Sequence, residues 1–283
     1  MKVETFAEQM LFLTLRIETQ ELIGTGFLVS HEWSDRASGE QLTGLFLVSN
    51  KHVVGDSTGG RITFARKTVD GSDRRDSPYL VNVDAGNWGW FMHPSDDVDV
   101  AALPLSPIFN SMEDKGDSVL FKRLPTASFP NADALDELDA LEEVVFVGYP
   151  NNVYDRANNL PIFRRGITAT PPNVDYEAKP KFLIDASVFP GSSGSPVFIY
   201  NVGPWRQRSG DIAFGGSPRV VFLGVLAAVL YREEDGTLEF AEIPASVAAM
   251  VKTRQMIDLG VVYKARTVLE TIEHGLRHAG LIE

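Results

Sequence analysis

The feature that most constrains this chain is its punctuation. Gly, Pro, Asn or Asp recur at short intervals, and between them lie runs rich in β-branched and aromatic side chains, at 11–18, 26–30, 44–49, 61–64, 79–83, 98–103, 144–149, 181–187, 196–200, 220–231 and 238–243. Runs this short, bounded by turn residues, suit strands better than helices. The pattern predicts an antiparallel all-β protein, sandwich or barrel. No segment repeats with a period of about 20–50 residues, which disfavours a propeller or solenoid. Two stretches depart from the β pattern. At 131–143, Leu135, Leu138 and Leu141 recur at three-residue spacing among acids, predicting a short amphipathic connector helix. In the tail from 244 to 283, Val247, Met250 and Val251, then Val261, Val268, Leu269, Ile272 and Leu276, recur with helical spacing and predict one or two terminal helices. Polar, Gly-containing stretches at 34–41, 69–77 and 200–218 read as surface loops, the last long enough to lie over a site.

Composition narrows the function classes. The 283 residues include no Cys, which excludes Cys-nucleophile chemistry, zinc ribbons, iron–sulfur clusters and disulfide staples. The net charge of −12 disfavours nucleic acid as a partner, because phosphate binding needs a basic surface. Arg164 and Arg165 are one example of a local basic pair; it reads as solvated at a strand start, with one guanidinium free to line a cleft. The apolar run at 220–231 falls short of the roughly 20 residues of a membrane helix and reads as a buried strand. The N-terminal apolar stretch, 10–13, is too short for a secretory h-region. These readings predict a cytoplasmic protein with no membrane partner.

Three short motifs carry the chemistry. Ser193 lies in PGSSGSP, His52 in LVSNKHVVG straight after an apolar run, and Asp99 in SDDVDVAALPL. Each alone reads as an ordinary turn, strand-end or capping residue. Together they are the parts of one machine. A serine hydroxyl is a weak nucleophile that needs an adjacent base, and an imidazole base needs a carboxylate to fix its tautomer and stabilise its charged form. Glycine before the nucleophile lets the N–H groups of Gly191 and Ser193 converge on one point. The order His, Asp, Ser differs from the subtilisin and α/β-hydrolase orders.

At these residues the chain resembles the chymotrypsin-like (trypsin-like, S1-type) serine peptidases, most closely the bacterial HtrA (Deg) branch. The matching pieces are Gly24-Thr25-Gly26-Phe27-Leu28-Val29, Val48-Ser49-Asn50-Lys51-His52-Val53-Val54, Asp99-Val100-Ala101-Ala102-Leu103, Val147-Gly148-Tyr149-Pro150 and Pro190-Gly191-Ser192-Ser193-Gly194-Ser195-Pro196. The resemblance implies two antiparallel six-stranded β-barrels: an N-terminal one, 1–125, carrying His52 and Asp99, and a C-terminal one, 126–245, carrying Ser193. A helical extension, 246–283, would follow, too short for a PDZ domain. It further implies Ser193 as nucleophile, His52 as general base and then acid, Asp99 as orienting carboxylate, and an oxyanion hole from Gly191 and Ser193. Asp96 and Asp97 compete for the carboxylate role but read as solvated loop acids. No metal or other cofactor is expected, and the partner is a protein or peptide substrate, with a second partner protein through the C-terminal helices.

The chain also departs from the family pattern. Ser192 replaces the acid that receives a freed N-terminal amine in the animal enzymes, so activation by clipping is not expected; Ser195 stands where Gly is usual. The resemblance puts Ser187 at the floor of the specificity pocket and Ala227, Ala228 and Val229 on the strand that pairs with substrate. With no acid at 187, the expectation is a small or medium apolar residue before the cut; Phe189 and Asp185 could reshape that pocket. Competing readings are a catalytically silent binding module of the same fold and, more remotely, an α/β-hydrolase using His274 or His278. A metal site at His93 lacks a second histidine at ligand spacing, and Trp88, Trp90 and Phe91 read as core aromatics.

Overall fold

The computed structural model describes residues 3–20, 22–55, 57–67, 73–84, 89–115, 118–238 and 249–283. The chain opens with helix α1 (Phe6–Leu13), started by a capping box in which Thr5 Oγ1 accepts from the Glu8 N–H while Glu8 Oε2 accepts from the Thr5 N–H. Strands β1 (Thr14–Glu18), β2 (Ile23–Ser34) and β3 (Gln41–Ser49) follow, then the one-turn helix α2 (Lys51–Val54), β4 (Gly60–Lys67), β5 (Asp73–Val83), β6 (Phe91–Met92), β7 (Ala101–Pro104), helix α3 (Ser106–Asp114), β8 (Val119–Leu120) and β9 (Leu124–Pro125). These strands form one nine-stranded sheet in the order β5-β4-β1-β2-β3-β7-β6, with β8 on β4 and β9 on β2.

After helix α4 (Ala132–Asp136) the second half runs β10 (Glu143–Gly148), β11 (Ile162–Thr168), β12 (Lys181–Asp185), β13 (Pro196–Asn201), the small hairpin β14 (Trp205–Arg206) and β15 (Ile212–Ala213), then β16 (Arg219–Leu238), β17 (Ala249–Lys264) and helix α5 (Ala265–His278). Six of these strands close a barrel in the order β10-β11-β12-β17-β16-β13. Its core is supplied by every second residue of each strand: Val144 and Phe146, Phe182 and Ile184, Val197 and Ile199, all essentially inaccessible.

Of the two expected barrels, the second closes by strand pairing; among the described residues the first half forms a sheet whose two-residue edge strand β6 pairs with β7. The structure corrects the sequence reading in two places. The helical tail expected from 246 starts at Ala265, because 249–264 is β17, the strand that joins β12 to β16. The expected connector helix shortens to α4, with Leu138 buried beyond its end and Leu141 exposed. Trp88, Val247 and the run at 239–243 lie outside the described residues.

The two halves share a core. Phe27 of β2 packs against Phe222 of β16, and Phe222 against Phe198 of β13, each pair with ring centroids 5.4 Å apart. Such aromatic pairs are worth about 0.5–1.5 kcal/mol beyond their buried area. Helix α5 lays Val268, Ile272 and Leu276 into the same cluster, so this apolar face is buried inside the molecule. Trp90 and Phe91 pack against the cores as expected. Among the described residues no helix is long and apolar enough to cross a membrane.

Candidate active site

β3 ends at Ser49, and the buried Asn50 turns the chain into α2. Val53 and Val54 drive one side of this single turn into the first-half core, which leaves His52 facing outward with its side chain about half exposed (47%). Asp99 sits just before β7 between Val98 and Val100, both buried; alternation along the extended chain turns Asp99 the other way, toward His52. Asp99 grips the histidine twice. Oδ1 accepts from the His52 backbone N–H at 3.0 Å and Oδ2 meets Nδ1 at 2.5 Å. A carboxylate facing Nδ1 selects the tautomer protonated there and leaves the Nε2 lone pair free to accept a proton.

The loop that delivers Asp99 is braced from several sides. Asn50 Nδ2 donates to the Asp99 carbonyl at 2.6 Å, and Lys51 Nζ to Ser95 O at 2.8 Å. His93 accepts from the Ser95 N–H at Nδ1 and reaches Glu270 of α5 through Nε2, both at 3.0 Å, which gives this buried histidine a structural post. From the barrel, Tyr263 of β17 donates its hydroxyl to Asp97 O at 2.9 Å; burial, and then the charge of Asp99, push its acidity below that of a free phenol. Lys179 pairs with Asp97 at 2.7 Å and holds that carboxyl below the usual range. Asp97 is thus engaged by Lys179 and Asp96 is solvent-exposed, whereas Asp99 is the acid of this loop that meets His52.

The loop at 189–195 must make two backbone turns closed to ordinary residues. Gly191 has φ +89 and Gly194 φ +86, and a Cβ on Gly194 would lie 1.8 Å from Thr25 O. Ser192 and Ser195 are buried beneath the loop. The Ser193 hydroxyl donates to Ala227 O at 3.1 Å, and among the described residues it makes no hydrogen bond to His52. The N–H groups of Gly191 and Ser193 donate to no backbone carbonyl among the described residues.

A cavity of about 390 Å³ collects these groups: His52, Asp99, Gly191 and Ser193 line it together with Leu22, Ile23, Val53, Phe189, Pro190 and Ala227. Ser187, the expected pocket floor, does not line it; its carbonyl accepts from Arg164 Nη2 at 3.0 Å, and that guanidinium lies over the Phe189 ring. Arg164 is half-buried while Arg165 points to solvent on the other face of β11, so the pair forms no patch. Ala228 and Val229 lie in β16 opposite Val261 and Gly260, with side chains outside those described. Among the described residues no cluster of His, Asp and Glu has the form of a metal site. Sequence reasoning missed Asn50 and Tyr263; Asn50 lay inside the quoted motif, whereas nothing in the sequence brings Tyr263 to the loop before β7.

The family model of the trypsin-like peptidase domain matches residues 24–201, which takes in His52, Asp99 and the 189–195 loop. The chain belongs to the trypsin-like peptidases. No curated protein matches this trypsin-like peptidase. Among solved structures it is similar to the inactive form of Rv3671c from M. tuberculosis H37Rv, with 15% identity over 96% of this chain and 90% of that one, and a TM-score of 0.45. It is also similar to a scabies mite inactivated protease paralogue, S-I1 (14% identity, 94% and 95% coverage, TM-score 0.43). A thermostable serine protease, AL20, from an extremophilic microorganism gives 12% identity, 93% and 94% coverage and a TM-score of 0.42.

Proposed function

We propose that this trypsin-like peptidase is a serine endopeptidase that cleaves peptide bonds through His52, Asp99 and Ser193. The observation that carries the reading is the double hold of Asp99 on His52, ring and backbone at once, beside a cavity that also contains Ser193. In the reaction, rotation about the Ser193 side chain moves its hydroxyl from Ala227 O toward His52 Nε2, a fast rotamer change. As Oγ attacks the substrate carbonyl, its proton passes to Nε2 and Asp99 stabilises the imidazolium. The carbonyl electron pair moves onto oxygen, where the N–H groups of Gly191 and Ser193, which donate to no backbone carbonyl among the described residues, stabilise it. Collapse returns that pair, breaks the C–N bond and hands the proton to the leaving amine, forming an acyl-enzyme. Water then repeats the sequence with His52 as base, releasing the acid and restoring Ser193.

The apolar lining of Leu22, Ile23, Val53, Phe189 and Ala227 supports substrates with small or medium apolar side chains at the cut. Within the family, the motifs around His52 and Asp99 favour an HtrA-like branch. We divide the unit into a first half ending near 125 and a second that β17 extends to 264. A second reading, a silent binding module, has one observation in its favour: the Ser193 hydroxyl rests on Ala227 O rather than on His52. Cleavage profiling with a peptide library, wild type against Ser193→Ala, separates the two. Cuts that vanish in the variant support the peptidase; no cuts by either protein support the module.

A further inference from the structure

The nucleophile loop carries the buried, uncharged Ser192, and its backbone is held by uncharged contacts. Two of these contacts act on consecutive peptide units: the one that carries the Gly191 N–H, and the next one, which leads into the peptide that carries the Ser193 N–H. The carbonyl of Pro190 accepts from the Asn151 N–H at 2.6 Å. The peptide is trans, so its N–H, that of Gly191, points opposite to that carbonyl, away from the turn at 150–152. The carbonyl of Gly191 accepts from Thr25 Oγ1 at 2.7 Å, and Thr25 Oγ1 in turn accepts from the Tyr149 N–H at 3.1 Å. The Thr25 hydroxyl therefore ties the 149–152 turn to the nucleophile loop. Its remaining groups are committed as well: Thr25 N–H donates to Ser193 O at 2.9 Å, and Thr25 O accepts from Ser49 Oγ at 2.7 Å. Thr25 is fully buried. The donor at Asn151 depends on an uncommon backbone, since Asn151 and Asn152 have φ +48 and +58, the left-handed region that Asn tolerates better than most residues.

We propose that Thr25 and Asn151 are positioning residues that set the oxyanion hole, fixing the Pro190–Gly191–Ser192 backbone from outside the loop by hydrogen bonds alone. This rests on the serine-peptidase reading. None of the five hydrogen bonds involves a titratable group, so the set of the hole does not depend on pH. Asn151 acts through its backbone N–H, and any residue that keeps both that group and the left-handed turn will serve.

The test uses four variants of the full chain. Thr25→Val keeps the shape and removes the hydroxyl; Asn151→Pro removes the N–H and forbids the left-handed φ. Thr25→Ser and Asn151→Gly keep what the mechanism needs. Loss of one oxyanion donor costs about 10²–10³ in kcat, so Thr25→Val and Asn151→Pro are expected to lose about 100-fold in kcat with little change in KM, while Thr25→Ser and Asn151→Gly stay within a few-fold of wild type. Hydrogen exchange of 188–195 is measured alongside. It should speed up in Thr25→Val with the β10–β13 ladder still protected. Wild-type kcat in Thr25→Val, or equal losses in Thr25→Ser and Thr25→Val, overturns the proposal. Should Asn151→Pro fail to fold, the Thr25 pair decides. A wild type that neither cleaves peptides nor reacts with a fluorophosphonate overturns the peptidase reading instead, and the exchange experiment still judges the strap: faster exchange confined to 188–195 in Thr25→Val supports it, and unchanged exchange overturns it.

Discussion

Replacing Asp99 by Asn exchanges one carboxylate oxygen for an amide nitrogen and leaves the shape of the side chain almost intact. In the folded chain Oδ1 accepts from the His52 N–H at 3.0 Å and Oδ2 meets Nδ1 at 2.5 Å. An Asn side chain keeps the first bond by leaving its carbonyl oxygen there, which turns its NH₂ toward the ring. Donor then faces donor unless Nδ1 gives up its hydrogen. The proton moves to Nε2, the nitrogen that must accept the proton of Ser193, and the imidazolium loses its counter-charge. In a Ser-His-Asp triad this change lowers kcat by about 10⁴, which at about 1.36 kcal/mol per decade raises the barrier by about 5.4 kcal/mol. Steady-state cleavage of a peptide selected from the library, near neutral pH, measures it. We expect KM to change little and circular dichroism to match wild type. A properly folded Asp99→Asn enzyme with kcat within about tenfold of wild type would refute the assignment of Asp99 as the orienting carboxylate.

Other expectations follow from single residues. Gly194→Ala puts a methyl group 1.8 Å from Thr25 O at a left-handed φ, so it should lower the melting temperature and abolish fluorophosphonate labelling, with overpacking alone costing about 1–3 kcal/mol. Ser195→Ala should do the opposite: Ser195 Oγ is buried without a hydrogen-bond partner among the described residues, and removing such a hydroxyl should raise stability by about 1 kcal/mol, a few degrees in a thermal melt. Burial pushes the Asp175 carboxyl up, but its bonds to Lys264 and Arg266 outweigh that and hold it below the usual range. A depressed folded-state value means the pair contributes above the unfolded carboxyl pKa of about 3.9 and is lost as pH falls through the lower folded one. Urea unfolding at a series of pH values should therefore show Asp175→Asn weaker than wild type near neutrality, the difference closing below about pH 4.

His52, Asp99 and Ser193 were legible because each lies in a short local pattern and because their order along the chain is informative. Gly191 and Ala227 also line the cavity, whereas Ser187 does not. Ser187 was placed by counting back from the nucleophile, and a count does not reveal that Arg164, on another strand, already bonds its carbonyl. The barrel strands with one buried face, such as Val144 to Val147 and Val197 to Ile199, announced themselves by composition. β17 did not: Val261 and Val262 are adjacent and both buried, so the two-residue period disappears and helical spacing emerges by coincidence. The first helix was readable and missed. Thr5 and Glu8 are a capping box in the sequence, but the apolar run of Met10 to Leu13 that follows looks equally like the start of a strand. Tyr263, Thr25 and Asn151 act through contacts between distant segments, which no local pattern encodes.

The account stands most directly on the reactivity of one hydroxyl. Intact-mass and peptide-level mass spectrometry after treatment with a fluorophosphonate should find a single adduct on Ser193 in the wild type, none in Ser193→Ala and a greatly slowed one in His52→Ala. An unmodified wild type, or an adduct on another serine with peptide cleavage surviving in Ser193→Ala, would contradict it.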